Sequence, residues 1–183
     1  AIDNGYCGVE IDTTFSTNRG LIASYNEPDN LIVPLLEDLI SDNLDIKYWW
    51  LDIKNLNAKN AKKISNLIGD LSNKFNQTTF FIESHNFIGL WFLNTKSQEL
   101  YKVYWLAKGP YKNNQSHILT PLYFVRSILA NIFINPDFIS MFHYQLSEKD
   151  FIWVGNRQRF VFTVNNIKDY ERAAFFGANV ILT

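Results

Sequence analysis

The sequence predicts an α/β fold, a barrel of the TIM (β/α)₈ type with about seven of its eight strands in this chain. Short apolar or aromatic runs alternate with longer helical patterns, which is typical of a parallel sheet. The runs are almost continuously hydrophobic, as in YWWL at 48–51, which fits strands covered on both faces. An open doubly wound sheet normally carries a glycine-rich phosphate turn, and neither common form of that turn occurs here. The barrel is therefore favoured.

The elements follow in a regular order. The seven predicted strands cover residues 7–13, 47–53, 78–83, 99–106, 138–144, 159–164 and 179–182. An amphipathic helix is predicted over 58–75, because apolar residues recur there at helical spacing. A second helix begins at Thr120-Pro121 and ends before Asn135-Pro136. A third covers 167–176 and stops at Gly177, and the longest predicted loop is 108–117.

Length and charge limit the possible functions. A chain of 183 residues with 47% hydrophobic residues fits one domain with a real core, here taken as 1–183. The 17 basic and 18 acidic residues nearly cancel, so nucleic acid is not expected as a partner. The longest apolar stretch, 122–134, contains Arg126 and falls short of the roughly 18 residues of a transmembrane helix. The compartment and the oligomeric state stay open.

The first strand ends in two acidic residues, Glu10 and Asp12. Residues at i and i+2 of a strand point to the same face, so these carboxylates are expected side by side. Such a pair either faces water at a sheet edge or is neutralised by a cation, a lysine or a shared proton. In a barrel the active site lies at the C-terminal ends of the strands, where the sequence places these two residues.

Polar residues also follow the next strands. Asp52 and Lys54 repeat the i, i+2 spacing, so three carboxylates and one ammonium converge if both pairs face the barrel interior. Three carboxylates form a hard oxygen site suited to Mg²⁺ or Ca²⁺, whereas a salt bridge between Asp52 and Lys54 without metal is the other interpretation. Other polar residues at strand ends are Glu83, Ser84, His85, Asn86, Thr163 and Asn165. Glu83 and Ser84 alternate, so only one of them can face the interior, and the sequence does not say which.

Several of these segments resemble one family. The stretch 1–12, with its Glu-x-Asp strand, resembles the second strand of the glycerophosphodiester phosphodiesterases. YWWLDIK at 48–54 resembles their third strand, which usually ends Ile-Glu-x-Lys, and FIESHN at 81–86 resembles the next. FTVN at 162–165 and GANVILT at 177–183 resemble the family's Trp-Thr-Val-Asn and its closing segment. The resemblance spans nearly the whole chain.

The resemblance implies a phospholipase C-like phosphodiesterase barrel, which lacks its first strand and helix because the chain begins at Ala1. It implies a phosphoric diester hydrolase of lipid metabolism, acting on a glycerophosphodiester or a lipid-derived substrate. A divalent cation, Mg²⁺ or Ca²⁺, would be held at the positions of Glu10, Asp12 and Asp52, and Lys54 would meet the phosphate charge. We take Ser84 and Asn165 as the substrate-binding candidates.

The chain departs from the family at the two histidines that move protons. The first belongs to a strand that would precede Ala1, and Tyr25 and Asn26 stand where the second histidine and its aspartate are expected. Tyrosine, with an ordinary pKa near 10, is a poor base at pH 7. His85 is the candidate replacement, although it also fits a position that the family fills with an aromatic residue. Three functions therefore remain: a metal-dependent phosphodiester hydrolase, a catalytically inactive relative that works as a ligand-binding or interaction module, or a lipid-surface protein that uses exposed aromatic residues.

Overall fold

All seven predicted strands are present in the computed structural model, which describes residues 8–26, 33–93, 100–105, 125, 128–142, 157–178 and 180–181. In chain order the strands are β1 (Gly8–Ser16), β2 (Gly20–Ile22), β3 (Tyr48–Ile53), β4 (Thr79–Ser84), β5 (Leu100–Trp105), β6 (Phe138–Phe142), β7 (Gln158–Phe162) and β8 (Val180–Ile181). The short strand β2 was not predicted. The chain contacts divide into two compact units, Ala1–Lys102 and Val103–Thr183, which are described separately.

The sheet of the first unit has the strand order β2-β1-β3-β4. β1, β3 and β4 are parallel, and β2 folds back antiparallel along the far edge of β1. The turn into β2 ends at Gly20, whose φ of 86° is a left-handed conformation that glycine adopts without strain. The parallel register aligns Asp12 with Asp52, and Asp52 with Glu83. Three acidic residues therefore lie in one row across three neighbouring strands.

Helices cover the other face of this sheet. They are α1 (Leu36–Asp42), α2 (Ala61–Lys74) and α3 (Phe87–Phe92). The predicted helix over 58–75 is confirmed as α2, whose buried residues include Ile64 and Ile68. Alternate residues of β3 and β4, among them Leu51, Ile53 and Ile82, are fully buried. The residues between them point to the opposite face of the sheet, which carries the acidic row.

The loop after β3 is held by hydrogen bonds that extend the β1–β3 pairing. The Lys54 backbone N–H donates to the Thr13 carbonyl at 2.9 Å. One residue further, the Asn55 side chain accepts from the Phe15 backbone N–H at 2.9 Å and donates to the Phe15 carbonyl at 2.8 Å. The amide of Asn55 thus takes the place of the next backbone peptide group. The loop is thus anchored to β1 by the Lys54 backbone N–H and, one residue further, by the Asn55 side chain.

The second unit continues the parallel pattern. β6 pairs with β5 from Val103 onward, β7 pairs with β6, and β8 pairs with β7. The core of this unit contains Ile139, Met141, Val161, Val164 and Ala173.

The helices of the second unit end where the sequence predicts. The helix before β6 finishes as a π-helix, Ala130–Ile134, followed by Asn135 in a left-handed conformation with φ of 48°. Its predicted start at Thr120-Pro121 and the predicted loop 108–117 lie outside the described residues. The last helix, α4 (Ile167–Phe175), begins after Asn166, whose side chain accepts from the Asp169 backbone N–H at 3.0 Å. Among the helices that the structure describes, none has the length and apolar character to cross a bilayer.

Candidate functional site

The acidic row lies near the C-terminal end of the parallel pairing of β1, β3 and β4 in the first unit, while β1 itself continues to Ser16. Neighbours in parallel register point to the same face, so Asp12, Asp52 and Glu83 share one face, and Glu10 joins them through its i, i+2 spacing. Asp52 and Glu83 are buried, with 6% and 4% of their surface exposed, whereas Glu10 and Asp12 are open to solvent. Buried carboxylates are costly unless a positive charge or hydrogen bonds offset them.

Lys54 supplies a positive charge within this row. Its Nζ lies 2.7 Å from Asp12 Oδ1 and 2.5 Å from Asp52 Oδ2. The Lys54 side chain is 17% exposed and the Asp52 side chain only 9%, so solvent screens the second ion pair less than an ordinary surface pair. The structure therefore brings Asp12, Asp52 and Lys54 together, as the spacing of both pairs predicts.

The electrostatic balance shows in two pKa shifts. Desolvation lowers the pKa of Lys54, but its hydrogen bonds to Asp12 and Asp52 and the charges of both carboxylates outweigh it, and the net pKa is raised. Among the described residues, Glu10 has no hydrogen-bonded partner of this kind. Surrounding protein atoms desolvate its carboxyl, and the charges of Asp52 and Asp12 add to this effect, so its pKa is raised despite the attraction of Lys54. The group carries more negative than positive charge.

Tyr25 covers the outer side of Lys54. The Lys54 Nζ lies 4.9 Å from the centre of the Tyr25 ring, which is within the range of a cation–π contact. The segment that carries the ring is tied to β1, since Thr14 Oγ1 donates to the Ser24 carbonyl at 2.8 Å and to the Tyr25 carbonyl at 3.3 Å. The residue in place of the expected histidine thus lies at the site, in contact with its lysine.

The carboxylates at this site are chemically suited to a hard divalent cation. Three carboxylates of the group, Glu10, Asp12 and Asp52, exceed the single ammonium of Lys54 in charge, and oxygen is the ligand that Mg²⁺ and Ca²⁺ prefer. The second oxygen of Asp52, Oδ1, is buried and has no hydrogen-bond partner among the described residues. Within that part of the chain, however, no three ligating side chains are already gathered around one point. The ammonium of Lys54 lies between two of the three donors instead.

The remaining candidates lie in different places. Ser84 is buried on the opposite face of β4 from Glu83, and its Oγ donates to the Ile53 carbonyl at 2.7 Å. The register therefore answers the question that the sequence left open, because Glu83 and not Ser84 shares the face of Asp52. His85 directly follows β4 and is exposed, and Asn165 is exposed in the second unit, three residues after β7.

Two features of the site are not visible in the sequence pattern. Glu83 joins the row only through its register with Asp52, and two alternating polar residues give no sign of that register. The ring of Tyr25 reaches Lys54 through the unpredicted β1–β2 hairpin. A turn at Gly20 followed by the short apolar run LI is the only signal that points to this hairpin.

Comparisons with known proteins identify the fold. No family model matches the sequence, and no curated protein matches it. A protein of Galdieria sulphuraria assigned as a glycerophosphodiester phosphodiesterase superposes with a TM-score of 0.69 at 12% identity, over 100% of this chain and 83% of the other. An Oleispira antarctica phosphodiesterase, solved with its product sn-glycerol-3-phosphate, gives 0.67 at 12% identity over 98% and 82%. The glycerophosphodiester phosphodiesterase of Agrobacterium tumefaciens gives 0.62 at 14% identity over 99% and 85%.

At such low identity the likeness concerns the fold. The chain has the α/β fold of the TIM-barrel type that its sequence predicts, and its structural neighbours are glycerophosphodiester phosphodiesterases. Seven parallel strands of this fold lie in the described part of the chain, together with the antiparallel β2.

Proposed function

We propose that this protein is a phosphodiester hydrolase that uses Mg²⁺ or Ca²⁺ and acts on a glycerophosphodiester or a related lipid head group. The observation that carries the proposal is the group of Glu10, Asp12, Asp52 and Lys54, which lies towards the C-terminal end of the parallel β1–β3 pairing. TIM-type barrels place their active sites at this end of the strands. The fold likeness to phosphodiesterases supports the class of reaction.

Charge explains why a cation belongs to this proposal. A phosphodiester is an anion, and the excess negative charge around Lys54 would repel it. Glu10, Asp12 and Asp52 would hold the divalent ion, which supplies the positive charge that an anionic substrate requires. Lys54 is the protein's own cation at the site and would bind a phosphate oxygen. His85, exposed just after β4, is the candidate group for giving a proton to the leaving oxygen.

One observation favours a second function. The sequence resemblance assigns Tyr25 to the position of the histidine that would activate the attacking hydroxyl or water, and the Tyr25 ring lies against Lys54. Histidine is the side chain that most often accepts a proton in such a step, and a tyrosine in its place offers no equivalent base. A site that keeps the carboxylates and the lysine without that base suits a ligand-binding module, which would hold a glycerol phosphate and leave it unchanged.

Hydrolysis by the full-length protein tests the first function. We expect glycerophosphoethanolamine to be hydrolysed in Mg²⁺ or Ca²⁺ and not in EDTA. Glu10→Gln should reduce kcat/KM at least about tenfold, as the loss of one proposed ligand would. The matched control is Glu37→Gln, because Glu37 is an exposed acid whose partner is Lys74 on α2, outside the proposed site. It should keep full activity.

The same assay separates the two functions. Turnover that is unaffected by EDTA would contradict the role of the cation. If no phosphodiester is hydrolysed but sn-glycerol-3-phosphate binds in the presence of the ion, the binding module replaces the enzyme as the proposed function.

A further inference from the structure

The outer face of α3 is apolar, whereas the outer face of a surface helix is normally polar. Ile88, Trp91 and Phe92 are 53%, 48% and 55% exposed, and their i, i+3, i+4 spacing places them on one side of the helix. Gly89 and Leu90, between them in sequence, are buried. The rings of Trp91 and Phe92 lie 5.3 Å apart. The three exposed side chains therefore form an apolar patch and not a scatter of single residues.

Positive charge lies beside this apolar patch. α3 packs against the loop 55–60 so closely that a Cβ atom at Gly89 would lie 2.7 Å from Leu56 Cγ, and it also packs against α2. This loop and the first turn of α2 expose three lysines, Lys59, Lys62 and Lys63. The sequence has no acidic residue from 53 to 69 or from 84 to 98. The segments that meet at α3 are therefore basic, although the whole chain carries a net charge of −1.

We propose that the apolar patch and these lysines dock the protein on the surface of a lipid bilayer that contains anionic lipids. Tryptophan and phenylalanine enter the boundary between head groups and acyl chains, and lysines beside them attract anionic head groups. The charge favours a lipid surface over a second copy of this chain, because two copies that met symmetrically at α3 would bring their lysines together. The docking goes beyond the proposed function, since it concerns where the protein lies and not the reaction that it performs.

The position of α3 relates such a lipid surface to the acidic row. Only His85 and Asn86 separate α3 from the end of β4, the strand that carries Glu83. The row lies on the face of the sheet opposite the helices, so its negative charge is not part of the apolar patch. A protein held at α3 would therefore keep the C-terminal end of β4 close to the lipid head groups.

Flotation of the full-length protein with vesicles tests the docking. The vesicles contain phosphatidylcholine alone or phosphatidylcholine with phosphatidylserine, and EDTA is present so that no divalent ion links protein and lipid. We expect binding to the vesicles with phosphatidylserine, and weaker binding in added salt. Trp91→Ser combined with Phe92→Ser should reduce vesicle affinity at least about tenfold, because two apolar side chains are lost from the lipid contact. The matched control is Leu44→Ser, a residue 68% exposed and outside α3, which should bind as the wild type does.

Two further variants separate the charge from the insertion of the rings. Lys62→Gln combined with Lys63→Gln should lower the affinity for phosphatidylserine vesicles at least about tenfold, whereas Lys74→Gln, at the other end of α2, should not. Trp91→Phe keeps an aromatic ring and should keep the binding. It should lose most of the quenching of tryptophan fluorescence that brominated lipids cause in the wild type.

Failure to bind vesicles with phosphatidylserine would overturn the docking, as would binding that the double variant at Trp91 and Phe92 leaves unchanged. Sedimentation of the wild type and of this variant without lipid examines the other occupant. A wild-type dimer that the variant loses would assign the apolar patch to a contact between copies and would also overturn the docking. None of these measurements needs turnover, so failure of the docking is distinguishable from failure of the proposed hydrolysis.

Discussion

Lys54 and Glu10 differ in the electrostatic interactions that they gain when the protein folds. Lys54 gains two carboxylate partners, whereas Glu10 is brought near Asp12 and Asp52 and gains only repulsion from them. The folded protein consequently favours the charged form of Lys54 and the neutral form of Glu10. Because folding makes the charged form of Glu10 less favourable, ionised Glu10 lowers the stability of the folded protein. Such costs are common at functional sites.

Glu10→Gln should stabilise the protein at neutral pH. The raised pKa means that the folded state holds the Glu10 proton to a higher pH than the unfolded state, so ionisation of Glu10 lowers stability as pH rises above its ordinary value of 4.5. Glutamine removes this penalty. We expect Tm at pH 7 to increase by about 1–3 °C, with the gain vanishing below pH 4.5, in thermal unfolding followed by circular dichroism.

Glu37→Gln is the control, because Glu37 is an exposed acid with its own lysine partner and should show no such gain at pH 7. A gain for Glu10→Gln of the same size at pH 4 and pH 7 would contradict the assignment to its ionisation.

Elements pack closely where α3 crosses the loop after β3. A Cβ atom added to Gly89 would lie 2.7 Å from Leu56 Cγ and 3.0 Å from the Asn57 backbone nitrogen. The helix can approach this loop only because residue 89 has no side chain. Asn86 fixes the start of the same helix, since its side chain accepts from the Gly89 backbone N–H at 2.8 Å. A change at residue 89 would therefore disturb the element that follows the acidic end of β4.

Gly89→Ala should destabilise the protein although alanine is the better helix former. We expect a loss of about 1–3 kcal/mol in the free energy of unfolding, because the added methyl has to displace Leu56 or the backbone at Asn57. Gly69→Ala is the matched control within α2, where a Cβ meets nothing within 4 Å. It should stabilise by about 0.5–1 kcal/mol, as helix propensity predicts. Urea denaturation of both variants measures the difference, and effects of the same sign would refute this account of the packing.

Elements with a strong repeating pattern were predictable, and short ones were not. The parallel strands and α2 have continuous apolar runs or helical spacing, and all of them are confirmed. β2, with three residues, is too short for a period of two to show. The sequence of α3, FIGLWF, is an apolar run that suits a strand as well as a helix. Only the capping residue Asn86 indicates that a helix begins there. The acidic group could be predicted from the i, i+2 spacing, but its row with Glu83 depended on register, which tertiary packing decides.

The whole molecule keeps the fold of its structural neighbours with 12–14% identical residues. The pattern of apolar strands and amphipathic helices needs only the hydrophobic character of each position, so it can persist where individual residues change. The individual residues decide the chemistry instead. A prediction of fold from such a pattern is therefore firmer than a prediction of catalysis.

The nearly balanced charge of the molecule predicts no affinity for nucleic acid. With 17 basic and 18 acidic residues, the protein as a whole does not attract a polyanion, and the acidic row would repel one locally. We expect fluorescence anisotropy with labelled DNA and RNA oligonucleotides to give Kd values weaker than about 10⁻⁴ M at physiological salt. Tighter binding that weakens steeply with added salt would contradict this expectation.

The anchored loop around Lys54 also bears on how this side chain can move. Because Lys54 and Asn55 are bonded to β1 through Thr13 and Phe15, the backbone has no part in the motion. Rotations of accessible side chains take picoseconds to nanoseconds, far less than a catalytic turnover of typical duration. The time for which the ammonium stays between Asp12 and Asp52 is then decided by its two ion pairs and the Tyr25 ring. An anion that binds Lys54 would have to compete with these contacts, whereas the backbone that carries the lysine would need no rearrangement.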